Sequence, residues 1–444
     1  MLALAGAIFP RYTDPEALSQ VVENTIFNNL LTTNTHGVSR MFIDPLKVLG
    51  TRIRHGRLTV HLPGGGCHSF GSGSPHAEWY LHTPATLRRI LSDPELMLGE
   101  TYMNGEWNTA NLLDLLEVLM RNIPEQRSGL VEGLLKRLLR QGNRIAQSYR
   151  NVAHHYDLDE WLFRHFLDQD MQYSCGYFYK PGISLEEAQR AKCAHILRKL
   201  DLSPGQQVLD IGSGWGGLAL YLAEHAGVKV TGLTLSREQL RVAQQRAHER
   251  GLQGRVEFLL RDYREHSGGY DRIASVGMFE HVGAQHHRHY FKQMRRLLNP
   301  EGVALLHTIG RYTPPGVTNP WILKHIFPGG YVPALSELNR GIEDSGLITC
   351  DVEILRLHYA MTLGAWQQRF QAQRAEIAAR LGERFCRMWE FYLVACEASF
   401  RWRDLVVFQL QLSQRLDVLP VTRDYLYTGA EHADTVALAR AAQG

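Results

Sequence analysis

Short apolar runs alternate with helical stretches through the second half of the chain, and this alternation restricts the possible folds more than any other feature. Residues 207–211 form an apolar run, followed by a Gly-rich turn and a helical stretch at 217–225. The runs 228–233 and 256–260 come next, with a helix at 236–250 between them. A run at 270–276, a helix near 285–298 and a run at 303–308 complete the series. Strands separated by helices of about 10–15 residues predict a parallel sheet covered on both faces, which is a doubly wound α/β domain. The tail from about 365 to 415 is rich in aromatics such as Trp366, Phe370, Trp389 and Tyr392, and it reads as helical.

The turn after the first run is Asp210-Ile211-Gly212-Ser213-Gly214-Trp215-Gly216-Gly217. Gly212, Gly214 and Gly217 match the G-x-G-x-x-G spacing of dinucleotide-binding loops. A nicotinamide dinucleotide would also need an acidic residue about 20 positions on, at the end of the second strand. That strand ends instead in Gly232-Leu233-Thr234-Leu235-Ser236. Asp210 stands just before the first glycine, where its charge would repel a pyrophosphate. A ligand carrying an ammonium and a sulfonium suits it better, so the loop fits S-adenosylmethionine. Asp262-Tyr263 follows the third strand; it reads either as an adenine contact or as a capping aspartate beside a core tyrosine.

Composition sets outer bounds. In 444 residues, 48 basic and 45 acidic side chains leave a formal charge of +3, too balanced for a dedicated nucleic-acid binder. Hydrophobic residues at 44% exclude wholesale disorder. The six cysteines form no C-x-x-C pair, which predicts a reducing, cytoplasmic setting. The apolar start at 1–10 lacks a basic region, so no signal peptide is expected. No run reaches the roughly 18–20 apolar residues of a spanning helix. His281, His286, His287 and His289 are dense, but they lack the paired spacing of a zinc site, so no metal is expected.

Three parts are expected along the chain. Residues 1–120 read as a small α+β unit, with strand-like alternation at 57–62 and helical spacing at 84–91 and 111–119. Within 121–150, Arg121, Arg127, Lys136, Arg137, Arg140, Arg144 and Arg150 face only Glu125 and Glu132, and leucines recur at helical intervals. Such a basic amphipathic linker either lies on an anionic membrane or docks its leucines on a neighbouring domain. Residues 151–444 form the third part.

Several motifs together resemble the cyclopropane-fatty-acyl-phospholipid synthases and the related mycolic acid cyclopropane synthases and methyltransferases. They are His155-Tyr156-Asp157-Leu158, Tyr173-Ser174-Cys175-Gly176-Tyr177-Phe178, the glycine loop, Asp262-Tyr263-Arg264, Gly277-Met278-Phe279-Glu280-His281-Val282-Gly283 and Leu306-His307-Thr308-Ile309-Gly310. Tyr359, in His358-Tyr359-Ala360-Met361-Thr362-Leu363, completes the set, which spans about 150–415 in order. Leu98-Gly99-Glu100-Thr101-Tyr102-Met103 resembles the N-terminal domain of the longer synthases. One departure is Asp159-Glu160-Trp161-Leu162-Phe163, where the family commonly has Gly or Ser, then Asn or Asp, then an aromatic.

The resemblance implies a Rossmann-like methyltransferase domain that passes the methyl of S-adenosylmethionine to a cis double bond of a phospholipid acyl chain. A bound bicarbonate then removes a proton so that the ring closes. By similarity, bicarbonate is held by Glu280, His307, Tyr359 and the backbone of Cys175 and Ile309. The cofactor is contacted by Tyr173, Ser174, Asp210, Gly212, Gly214, Trp215, Gly216, Thr234, Gln239, Asp262 and Tyr263. Taken singly, His307 could be a satisfied core histidine and Glu280 a helix cap. Cys396 matches a family cysteine sometimes regarded as a nucleophile, but a buried structural role suits the chemistry better. A homodimer associated peripherally with the inner face of the membrane is implied. The rivals are methyl or methylene branching without ring closure, methylation of a small polar amine, and a non-catalytic lipid-binding protein.

Overall fold

The computed structural model describes residues 45–122 and 160–427. Beyond Arg121 and Asn122, the basic stretch 121–150 lies outside the described residues, as does the motif at 155–158.

Helix α1 (Pro45–Arg52) precedes a four-stranded sheet of β1 (Gly56–His61), β2 (Cys67–Ser72), β3 (His76–Leu81) and β4 (Trp107–Asn108), in the order β2-β1-β3-β4. Leu58 and Val60 leave β1 on one side, two residues apart, and both are fully buried. Helices α2 (Pro84–Ser92) and α3 (Pro94–Met103) meet at Asp93. That residue ends α2 and caps α3, accepting from Leu96 N at 3.3 Å, and Pro94 takes the first helical position, where no N–H is needed. Helix α4 (Leu112–Asn122) buries Leu112, Leu115, Leu116 and Leu119, the i, i+3, i+4, i+7 stripe of an amphipathic helix.

The large sheet contains β5 (Gln207–Ile211), β6 (Lys229–Thr234), β7 (Val256–Leu260), β8 (Tyr270–Val276), β9 (Leu298–Arg311), β10 (Ile348–Leu355) and β11 (Leu405–Ser413). Its order is β10-β11-β9-β8-β5-β6-β7. The run from β7 to β9 is parallel. β5 has β6 on one side and β8 on the other, so the winding reverses there and leaves a cleft at the carboxyl edge. Successive residues of one strand serve opposite cores: Leu209, Ile273 and Leu306 join one, Val208, Ala274 and Leu305 the other. Burying both faces at roughly 1.5–3 kcal/mol per large apolar side chain is what fixes the strand register.

Helices α5 (Glu160–Phe166), α6 (Leu185–Lys199), α7 (Gly217–Ala226), α8 (Arg237–Glu249), α9 (His287–Leu297), α10 (Pro320–His325) and α11 (Leu335–Ser345) follow in chain order. The aromatic tail folds as α12 (His358–Ala372), α13 (Arg374–Leu381) and α14 (Glu383–Trp402). Its last part departs from the helical reading. Residues 405–413 are β11, which lies antiparallel between β9 and β10, so the sheet is mixed and not wholly parallel. Val406, Val407, Phe408, Leu410 and Leu412 are all buried, and periodicity alone does not separate a short buried strand from a buried helix.

Helices α3 and α4 pack on α14, and α3 packs on α10 as well. Tyr102 donates to Glu390 Oε2 at 2.9 Å, and the Arg387 guanidinium lies 4.0 Å from the centre of the Tyr102 ring. A Cβ on Gly99 would meet Trp321 Nε1 at 2.5 Å, so this close helix contact requires glycine. No helix among the described residues is long and apolar enough to cross a membrane.

Candidate active site

The chain leaves β5 at Ile211 and turns through the glycine loop into α7. A cavity of about 1110 Å³, open mouth included, sits over this loop at the carboxyl edge. Of the expected cofactor contacts, Tyr173, Ser174, Asp210, Gly212, Gly214, Trp215, Thr234, Gln239, Asp262 and Tyr263 line it. Gly216 does not; it caps α7 with φ of 83°. Gly214, at φ of 52°, has no atom within 4 Å of where a Cβ would stand, which leaves room for a ligand against the backbone.

Asp210 is buried, and its Oδ2 has no partner. Burial pushes its carboxyl up to about 7, opposed by the charge of Lys192. An enclosed carboxylate with a free lone pair fits a ligand bearing an ammonium group, as S-adenosylmethionine does. Thr234 donates to Gln239 Oε1 at 2.9 Å, which orients that amide at the wall. Asp262 accepts from Arg264 N at 2.9 Å and from Arg264 Nε at 2.8 Å, and Tyr263 packs edge-on to Tyr290. The pair is therefore a cap and a core ring as well as part of the cavity wall.

Lys192 escaped the sequence reading. It is fully buried on α6, where its Nζ donates to Gln172 Oε1 and, at 3.0 Å, to Ser174 Oγ. Gln189, one turn before, donates to the Ser174 carbonyl at 2.8 Å. The two side chains hold the 172–174 segment against the cavity. Their signal was polar residues on the buried stripe of α6, where Gln189, Lys192, Cys193, Ile196 and Lys199 share a face. The next residues are held from α12: Gly176 N donates to Thr362 Oγ1 at 3.0 Å and Phe178 N to His358 Nδ1 at 2.9 Å.

Glu280 follows β8 in a single 3₁₀ turn. Its Oε1 accepts from Ile309 N on β9 at 2.6 Å, and its Oε2 is buried without a partner. Burial pushes the carboxyl up to about 7, opposed by the Ile309 N–H. Ile309 thus spends its N–H on Glu280 and does not offer it to an anion. Tyr359 is buried on α12, edge-on to Trp366 at 5.8 Å and against Phe400 at 4.9 Å. Burial raises its hydroxyl well above the usual range, and the charges of Tyr173, Cys175, Glu280 and Cys396 add to the rise. These residues therefore form one cluster. Tyr392 of α14 joins it through a 2.8 Å hydroxyl contact with Tyr173.

Cys396 belongs to the cluster without the properties of a nucleophile. Burial pushes its thiol up to about 12 and raises that of Cys175 as well. His307 answers to other charges. Burial lowers it to about 3, helped by Lys192 and Lys199, so the imidazole is neutral. Gln409 Nε2 of β11 donates to its Nδ1 at 3.0 Å, which leaves the ring proton on Nε2 as a donor. The Tyr359 hydroxyl and a Glu280 carboxyl that can carry a proton are donors for an anion, and His307, two residues before Ile309 on β9, carries a third in its ring N–H. That donor set fits bicarbonate.

The clustered histidines do not converge: His281 lines the cofactor cavity, His287 packs on Phe279 at 4.6 Å, and His289 is exposed. Among the described residues, no group of three His, Cys, Asp or Glu side chains is arranged to hold a metal ion.

A family model described as mycolic acid cyclopropane synthetase matches residues 143–410. The cyclopropane-fatty-acyl-phospholipid synthase of Escherichia coli (strain K12) is 41% identical over 357 residues, 78% of this chain and 90% of that protein. The tuberculostearic acid methyltransferase UfaA1 of Mycobacterium tuberculosis is 36% identical over 389 residues, 80% of this chain and 89% of that one. The solved structure of the mycolic acid cyclopropane synthase CmaA1 with SAH and CTAB superposes with a TM-score of 0.56 at 34% identity, covering 60% of this chain and 97% of that one.

Proposed function

The chain belongs to the mycolic acid cyclopropane synthetase family, S-adenosylmethionine-dependent enzymes of lipid chains, and from that premise we propose that it cyclopropanates unsaturated phospholipid acyl chains with bicarbonate as the base. The observation that carries this reading is the buried, unpartnered Oε2 of Glu280, within electrostatic reach of a Tyr359 hydroxyl that is itself walled by Trp366 and Phe400.

S-adenosylmethionine, when bound over Gly212 and Gly214 with its ammonium toward Asp210, supplies a methyl group as an electrophile. The alkene that accepts it is left with a positive charge on the acyl chain. Tyr173, Trp366, Tyr359 and Phe400 lie within 4.9–5.8 Å of one another in a chain of ring contacts. Their faces suit a developing cation, and their packing keeps out the water that would hydrate it. Bicarbonate, when bound, would supply the base that takes a proton from the new methyl group, whose electrons then close the ring. Glu280, His307 and Tyr359 are the residues that would hold it, with Ile309 orienting Glu280.

The same reading has residues 1–120 assist lipid engagement and dimerisation, residues 121–150 connect, and residues 151–444 carry the reaction. The protein then works as a homodimer bound peripherally at the inner face of the membrane. A second reading, methyl or methylene branching, is favoured by the name of the relative UfaA1, a tuberculostearic acid methyltransferase.

The test is incubation of the purified protein with labelled S-adenosylmethionine and vesicles of unsaturated phospholipid, followed by mass analysis of the acyl chains. A gain of CH₂ in ring form is expected. Branched products select the second reading, and no gain despite bound cofactor defeats both.

A further inference from the structure

The two elements that reach the Glu280–Tyr359 cluster also end in exposed apolar side chains. β9 carries Ile309, the partner of Glu280, and three residues on, about 10 Å along the strand, Tyr312 is 62% exposed. Val317, in the same loop, is 44% exposed. α12 turns Tyr359 and Thr362 inward, whereas Leu357 at its N-cap and Met361 in its first turn are 51% and 36% exposed. The two rims are neighbours: Leu355 pairs with Val407, and Val407 with Ile309, so they begin two strands, roughly 10 Å, apart at the same sheet edge.

The loop that displays Tyr312 and Val317 is held by polar bonds. Thr313 donates to Asp404, Tyr312 N donates to the Asp404 carbonyl at 3.2 Å, and Arg311 Nη2 donates to the Val317 carbonyl at 3.3 Å. Pro314 and Pro315 stiffen it further. A rigid loop with its apolar side chains outward does not bury them by collapsing. The carboxylate that meets this loop, Asp404, is engaged by Thr313 and by Arg311 at 3.6 Å. The rim segments 177–183, 311–319 and 354–361 carry Lys180, Arg311 and Arg356 and no carboxylate. Lys180 and Arg356 are exposed. Apolar and tyrosyl side chains interspersed with cations match the interface of an anionic bilayer, where the former enter the headgroup layer and the latter meet lipid charge.

We propose that Tyr312, Val317, Leu357 and Met361, flanked by Lys180 and Arg356, are the face by which this protein sits on an anionic lipid bilayer, with the carboxyl edge of the sheet against the lipid. The proposal rests on the reading that the acyl substrate belongs to a membrane phospholipid. Docking there shortens the path of an acyl chain from bilayer to Glu280 to the length of the strand end.

The experiment is co-sedimentation of the full chain with vesicles of saturated phosphatidylglycerol, and separately of saturated phosphatidylcholine. Saturated chains carry no double bond, so binding is read without turnover. The combined variant Tyr312→Ser/Val317→Ser/Leu357→Ser is expected to bind phosphatidylglycerol vesicles at least tenfold more weakly, while S-adenosylmethionine binding stays within twofold. Lys180→Glu/Arg356→Glu is expected to lose the preference for the anionic vesicles. The proposal is overturned by a parent protein that does not sediment with phosphatidylglycerol, or by a combined variant that binds like the parent. It is also overturned if that variant keeps vesicle binding but changes from dimer to monomer in ultracentrifugation, since the face would then join two copies. A parent that docks through this face yet adds no carbon to unsaturated chains defeats the proposed activity and leaves the docking face standing.

Discussion

The glycine-loop cavity and the aromatic cluster each enclose one carboxylate with an unpartnered oxygen, Asp210 in the first and Glu280 in the second, yet they are assembled in opposite ways. The cavity is walled mainly by three strand-end loops of the parallel part of the large sheet, at 210–217, 233–239 and 261–264. The cluster draws Cys175, Glu280, Tyr359 and Cys396 from segments far apart in the chain. A site made from adjacent strand ends uses backbone and glycine and takes a mobile ligand. A site drawn from a loop, a 3₁₀ turn and two helices is walled by large rings.

The largest effect expected to separate the two is Glu280→Gln. Turnover should fall roughly 10²–10⁴-fold, the range typical of losing a group that handles protons, while S-adenosylmethionine binding, measured by titration calorimetry, is unchanged. Lost binding would merge the two regions into one. Asp210→Asn should do the reverse and weaken cofactor binding about 10–100-fold, as expected for a charge-assisted hydrogen bond replaced by a neutral one.

Both substitutions should also stabilise the protein without ligand at alkaline pH. Burial raises the folded-state values of Asp210 and Glu280 to about 7, above the ordinary 3.8 and 4.5. Folded protein then holds protons that the unfolded chain has released, so stability falls as pH rises through that window. At pH 8, Asp210→Asn and Glu280→Gln should each raise Tm by a few degrees, for a penalty on the order of 3–4 kcal/mol relieved. Below about pH 4 the gain should vanish. A gain that persists at acid pH would show that burial of charge is not its cause.

Lys192→Met tests the link between the regions, because the Lys192 charge acts on Asp210, Cys175 and His307 alike. Without it, Asp210 is lifted further, so the pH dependence of cofactor binding should move to higher pH; an unmoved profile would confine Lys192 to holding Gln172 and Ser174. The smallest effect is expected of Cys396→Ala. With the thiol pushed up to about 12 by burial, little thiolate exists near neutrality, and turnover should stay within about threefold.

The cavity was legible in the sequence because its residues are loop residues at fixed offsets from strands. Gly212, Gly214, Thr234 and Asp262 can each be placed once the strands are found. The residues that hold them were not. Lys192 and Gln189 sit on a helix stripe that reads as apolar surface interrupted by polar residues, and nothing local says that they meet Gln172 and Ser174. Gln409 was hidden for a related reason. The run 405–412 was read with the aromatic helices before it, and only pairing with β9 brings Gln409 opposite His307. Glu280, His307 and Tyr359 were named through resemblance to known enzymes. Residue pattern alone does not bring 280 and 359 together.

The place of β11 also bears on how the protein is made. It is the last strand of the large sheet in sequence, but it fills the gap between β9 and β10. When His307 has left the ribosome, Gln409 lies 102 residues further on, roughly 5–20 s of synthesis at ordinary rates. During that time β9 presents an unpaired edge of buried-type residues to the cell. The strands that carry the adenosyl pocket, β5 to β8, are thus complete in sequence well before the β9 edge of the sheet has its partner.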